Sequence, residues 1–206
     1  MKNMKNIEIK LFAASLCISL IFTSLVAIYA SVEELSAQER IAEEIIRFHI
    51  LPNSNTEADQ ELKMLVQQEV LHQVEQLTSR GKNIKETREI ITANLNNIEE
   101  TARQIIVAAG ENYHIHARLD NIFFPRVVYE DMVLPRGYYE ALQITIGQGQ
   151  GQNWWCVMFP MMCFVEGAKG GSTEEMRQLM EGVLTAEEKG AMFNVRFRSV
   201  EWFREQ

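Results

Sequence analysis

The chain has 206 residues with 28 acidic and 20 basic side chains, and from Ser31 onward 17 basic residues face 27 acidic ones, a net charge of −10. That balance repels phosphate backbones and excludes nucleic acid as an expected partner, because such binding depends on clustered Lys and Arg. The 176 residues after position 30 suit one domain able to bury its own core.

Lys2, Lys5 and Lys10 precede Leu11–Ala30, a stretch with no charge. A basic start followed by an apolar run is how an export signal begins, and twenty apolar residues also suffice to span a bilayer as a helix. The cleavage site is poor, since Ile28 stands two places before Ala30. Residues 1–30 therefore read either as a cleaved signal or as a retained membrane anchor through 11–30, and the positive-inside rule puts residues 31–206 on the far side in both cases.

Ser31 to about Glu44 reads as a stalk or first helix. In residues 45–51, IIRFHIL, Ile46, Phe48 and Ile50 alternate with Arg47, His49 and Leu51, the period of a strand. Pro52-Asn53-Ser54-Asn55 breaks it, and Ser54 with Glu57 has capping-box spacing. Leu62, Val66, Val70, Val74 and Leu77 then predict a helix ending near Arg80-Gly81, and Ile91, Leu95, Ile98, Ala102 and Ile105 a second one ending at Gly110.

The period then changes. Tyr113, Ile115, Ala117 and Leu119 oppose His114, His116 and Arg118, a second strand; Leu142, Ile144 and Ile146 mark another after the Pro135-Arg136-Gly137 turn. Gly147, Gly149 and Gly151 supply conformational freedom for a hairpin into the apolar segment 153–164, NWWCVMFPMMCF. In that segment Trp154, Cys156 and Met158 face one side and Trp155, Val157 and Phe159 the other, so one tryptophan is expected in the core and its neighbour as an interface anchor. Residues 173–182, capped by Ser172 or Thr173, predict a short helix, and Phe193, Val195 and Phe197 a last strand. The order predicts an α+β fold, with a mixed or antiparallel sheet and helices packed on one face, as an exported domain over 31–206.

Cys17 lies in the apolar leader, which leaves Cys156 and Cys163 as a pair. Export allows them to bond if Pro160 turns the chain, and two buried free thiols are the other reading. His114 and His116 share a strand face, which is zinc-ligand geometry if His49 or Asp120 joins them; two polar residues on a solvent face need no metal. The glycines match neither the dinucleotide nor the Walker pattern, and no nucleophile elbow occurs, so no cofactor and no catalytic residue is assigned. Arg47 and His49, just before the turn, form either a polar patch with Asp59 or Gln60 or an ordinary solvated face.

The stretches RFHILPNSNTEADQELK and LPRGYYEALQITIGQGQGQNWWCVMFP, with Cys163-Phe164, resemble the stage II sporulation protein R family of endospore-forming bacteria over roughly residues 41–166. Arg47, His49, Asn53, Ser54, Asp59, Gln60 and Lys63 match its first motif. Gly147, Gly149, Gly151, Asn153, Trp154, Trp155, Cys156, Phe159, Pro160 and Cys163 match its second, with Met161 where the family usually has a second proline. The resemblance implies a signal without catalysis of its own, made in the forespore and exported toward the space between the two compartments. There it would activate a membrane-embedded aspartic protease of the mother cell, stage II sporulation protein GA, which cleaves the pro-sequence from the sigma-E precursor. Arg47, His49, Asn53, Ser54, Asp59, Gln60, Lys63, Asn153, Trp154, Trp155 and Phe159 are then the candidate partner-binding residues, with Cys156 and Cys163 as the candidate disulfide. The competing readings are a metal-dependent envelope hydrolase using His114 and His116, and an envelope-anchored structural module.

Overall fold

The computed structural model describes residues 2–79, 81, 83–129, 132–163, 178, 180 and 183–185. The first helix, α1 (Lys2–Glu44), runs unbroken from the leader into the domain, so the segment after Ser31 is a continuation of the apolar helix. Within it, Lys10–Tyr29 has a mean hydropathy of 2.4 and none of it is buried. It has the length and composition to cross a membrane, compatible with an export signal or an anchor.

Then follow β1 (Ile46–Leu51), α2 (Glu57–Thr78), α3 (Ile84–Ala108) and β2 (Ile115–Phe124). The stretch around Pro125, which carries no clear period, forms a small hairpin of β3 (Val127–Tyr129) and β4 (Met132–Leu134), before β5 (Gly137–Ile146) and β6 (Trp154–Phe159). The main sheet has the order β2-β5-β1-β6. β1 lies parallel to β5 and antiparallel to β6, with Phe48 level with Leu142 on one side and Cys156 on the other. β2 is antiparallel to β5. This is the expected α+β class with a mixed sheet.

The hairpin expected at the glycines does not form. β1 sits between β5 and β6, so residues 147–153 arch over the end of β1 instead of joining neighbours. Gly147 and Gly149 do adopt the left-handed backbone, with φ of 58° and 63°. The cap of α2 is Thr56, whose hydroxyl accepts from the Asp59 amide, in place of Ser54. The predicted strand 193–197 lies outside the described residues, as does the helix 173–182 apart from 178 and 180, which are helical.

Strand alternation gives the sheet two covered faces. Phe48, Ile50, Leu142, Ile144, Cys156 and Met158 meet Val66, Val70, Ile91 and Ile98 of α2 and α3 in the larger core. Each such buried side chain contributes about 1.5–3 kcal/mol of burial energy. On the opposite face Ile41 and Ile45, at the end of α1, join Phe124, Leu134, Tyr139, Val157 and Met162. Residues Arg47, His49 and Gln143 share that second face, which buries them.

Candidate functional site

The turn after β1 and the glycine arch build one polar latch. Asp59, in the first turn of α2, is 6% exposed. Its Oδ2 accepts from Ser54 Oγ at 2.5 Å and from Asn53 Nδ2 at 3.0 Å. Burial by itself would raise the Asp59 pKa, but hydrogen bonds from Ser54, Asn53, Tyr113 and Thr56 outweigh it and hold the carboxyl below its usual value. The Asn53 carbonyl side chain accepts from Gln148 N at 3.1 Å, Pro52 O from Gly151 N at 3.1 Å, and Asn55 Oδ1 from Gln152 N at 2.6 Å. Gln60 donates to Ser54 O at 3.0 Å. Buried Lys63 donates to Gln60 Oε1 at 2.7 Å and Gln152 O at 3.2 Å, and its burial lowers its pKa.

The arch fits because its glycines carry no Cβ where it presses on the turn. A Cβ on Gly147 would strike the Asn53 side chain, and one on Gly151 would strike the Ser54 carbonyl. Two stretches about ninety residues apart in sequence are thereby locked together, and Asn53, Ser54, Asp59, Gln60 and Lys63 of the candidate set all serve this lock.

Arg47 and His49 stand apart from the latch, so the polar patch with Asp59 or Gln60 is not what β1 makes. Their face carries a lateral chain of polar groups instead. Arg118 Nε donates to Gln143 Oε1 at 2.8 Å, and Gln143 Nε2 lies 3.0 Å from His49 Nδ1. Since the Gln143 oxygen faces Arg118, its amide nitrogen donates to His49, and the imidazole proton of the neutral ring resides on Nε2. Burial, then the charges of Arg47 and Arg118, lower the His49 pKa to about 4. The Arg47 guanidinium stacks over the Phe124 ring, 3.9 Å from its centroid.

β6 completes the site. Trp155 is half-buried, with ring centroids 5.8 Å from His49 and 6.5 Å from Phe124. Trp154, also half-buried, meets Phe48 edge-on at 5.9 Å on the other face. The two tryptophans therefore divide between the two cores, where one core residue and one free anchor were expected. His49 Nε2 and Trp155 Nε1 are buried and have no hydrogen-bond partner among the described residues. Asn153 and Phe159, at the two ends of the strand, are half-buried. Cys156 and Cys163 are joined as a disulfide with Cα atoms 5.6 Å apart, beyond a cis Phe159–Pro160 bond.

Gln143, Phe124 and Arg118 belong to this neighbourhood and are absent from the candidate set. Their signal is parity: Gln143 sits on the face opposite Leu142 and Ile144, which reads as solvent-facing until something covers it. His116 and Glu99 approach to 3.7 Å. Among the described residues, no three His, Cys, Asp or Glu side chains gather as metal ligands.

What this defines is an α+β domain behind an apolar helix, whose two motif stretches interlock at one end of β1 and continue along β6, the edge strand among the described residues. The family model of stage II sporulation protein R matches residues 42–169, and the chain belongs to that family. Stage II sporulation protein R of Bacillus subtilis (strain 168) is 37% identical over 135 residues, which cover 66% of this chain and 60% of that protein. The chain thus matches less than two thirds of that relative's length. No solved structure matches it.

Proposed function

We propose that this chain is a non-catalytic, exported signal of endospore formation that docks on and activates a membrane-embedded aspartic protease of the mother cell, stage II sporulation protein GA, and so triggers processing of the sigma-E precursor. Family membership supplies sporulation; the docking surface is argued from the fold. The carrying observation is that both motifs meet at β1 and β6, with Trp155 half-exposed on the edge strand of the described sheet beside the His49–Gln143–Arg118 chain. Tryptophan at such an edge supplies large apolar area, the character of an interface anchor, while its own N–H is buried here. Residues 31–206 act in the space between the two compartments, delivered there by α1.

The latch residues Asn53, Ser54, Asp59, Gln60 and Lys63 contribute to docking indirectly, by fixing the arch that leads into Asn153 and Trp154. Co-expression of the chain with the protease and the sigma precursor in a host that does not sporulate tests the proposal. Precursor cleavage should require both the protease and export of this chain. Cleavage that proceeds equally without residues 1–30 refutes signalling across a membrane.

A further inference from the structure

We propose that the end of the domain carrying Phe123, Tyr138, Arg126 and Arg136 rests on the bilayer that holds α1. The inference assumes that Leu11–Ala30 is embedded, and it is independent of any protease. Phe123 and Tyr138 are a cross-strand pair of β2 and β5. Their rings meet edge-on at 5.5 Å, yet they are 54% and 61% exposed. The helices α2 and α3 cover β5 from Leu142 onward and leave this end of the same face bare. Val128, 56% exposed, lies on the hairpin that links the same two strand ends. Arg126 and Arg136 flank that hairpin, and both are exposed.

The path of α1 says what covers this end. β1 begins level with the middle of β5, since Arg47 pairs with Ala141, and α1 lies beside the start of β5, where Gln38 Nε2 donates to Tyr138 O at 2.7 Å. Going backward along α1, Gln38 is the last fully buried residue among those described and Ser36 is half-buried, so the helix leaves the domain beside Tyr138. Gln38 lies nine positions after Tyr29, the end of the apolar stretch. At 1.5 Å per residue these positions form about 14 Å of helix. Headgroups occupy roughly the first 5–7 Å of that distance, and helix tilt brings one flank closer still. Gln38 thus stands about 7–9 Å above the headgroups on a helical tether with no loop in it, a gap that helix tilt and the long side chains of Tyr138, Arg126 and Arg136 close.

Aromatic rings and cations together are the side chains that settle at that depth, and arginine adds attraction to anionic lipid. The neighbouring groove holds Glu39, Glu43, Asp120 and Glu140. Asp120 is paired with Arg118 at 3.1 Å and Glu140 with Arg88 at 2.8 Å. Glu39 and Glu43 lie farther along α1 from the bilayer than Gln38, whereas Glu33 and Glu34 lie on its bilayer side and Glu130 and Asp131 fall between the two arginines in the chain, so the aromatic rings carry the contact and the arginines offset these carboxylates.

The full chain is reconstituted into phosphatidylethanolamine–phosphatidylglycerol vesicles containing lipid brominated near the top of the acyl chain. Tyr138→Trp should lose roughly twofold more of its added fluorescence than Val107→Trp, a control on exposed α3 surface. Phe123→Trp, a second reporter on the same end, should behave as Tyr138→Trp does. Replacing both arginines, Arg126→Glu with Arg136→Glu, should reduce the quenching to its level in phosphatidylcholine vesicles. Equal quenching of Tyr138→Trp, Phe123→Trp and Val107→Trp overturns the proposal, and quenching indifferent to the arginine changes overturns its electrostatic part.

Discussion

Ser54 donates its hydroxyl to the buried Asp59 carboxylate at 2.5 Å, so the residue that caps nothing in α2 instead satisfies a charge inside it. With its pKa held below 3.8 in the folded chain, Asp59 contributes stability that is fully present above that value. The contribution is lost as pH falls through the folded pKa. Asp59→Asn should cost about 1–3 kcal/mol at neutral pH and should remove this acid-side dependence. Urea unfolding at pH 7 and pH 3 measures both effects; an unchanged midpoint at pH 7 would show that the latch carries no weight.

His49 titrates in a different window. Its folded pKa of about 4 lies below the ordinary 6.5, so between those values the unfolded chain binds the extra proton. Stability must therefore fall as pH drops from about 6.5 toward 4, by about 2 kcal/mol between pH 7 and pH 5. His49→Phe, which keeps a ring against Phe124 and Trp155, should flatten that slope. A variant with the wild-type slope would place the titration elsewhere.

Period-2 and period-3.6 patterning made β1, β2, β5, α2 and α3 readable, because that signal is local to each segment. The insertion of β1 between β5 and β6 was not readable, since strand order depends on pairing between residues about ninety positions apart. Glycine spacing therefore predicts a hairpin, although the same glycines are what allow the arch to press on Asn53 and Ser54. Asp59 reads as a patch or motif residue, and nothing in its neighbours in sequence announces burial. Arg47 and His49 could be placed on one face, but what covers that face comes from Phe124 and Trp155, distant in the chain, and from the end of α1, whose packing back over β1 no local pattern announces.

Gly151 tests the arch directly. A methyl group there meets the Ser54 carbonyl and the Pro52 ring, both held by the backbone. Gly151→Ala should destabilise the domain by about 2 kcal/mol or more, since neither neighbour can rotate away. Gly110→Ala, with open space around its Cβ but φ of 82°, isolates the strain of the left-handed backbone from the collision. Thermal unfolding should show a clearly larger loss for position 151; equal losses would mean the arch yields.

The Cys156–Cys163 bond closes a short loop, with a separation of seven residues, from the buried middle of β6. Chain-entropy arguments assign a loop of that size about 2.5 kcal/mol. Cys163→Ser should lower unfolding stability by that order, and reducing agent should lower the wild type equally while leaving the variant unmoved. Insensitivity of the wild type to reductant would contradict a stabilising bond.

Trp155 separates packing from docking. It touches His49 and Phe124 but is only half-buried, so Trp155→Ala should cost about 1–2 kcal/mol, less than the 3–5 kcal/mol typical of a fully buried tryptophan. The domain would remain folded, and under the docking proposal precursor cleavage in the co-expression assay should nevertheless fall to background. Trp155→Phe keeps part of the packing and reduces the ring area on the strand, so intermediate activation would tie recognition to the apolar surface of the indole. Trp154→Ala acts on the opposite face against Phe48 and should reduce activation only in proportion to lost stability. A folded Trp155→Ala chain that supports full cleavage would move the contact surface away from β6.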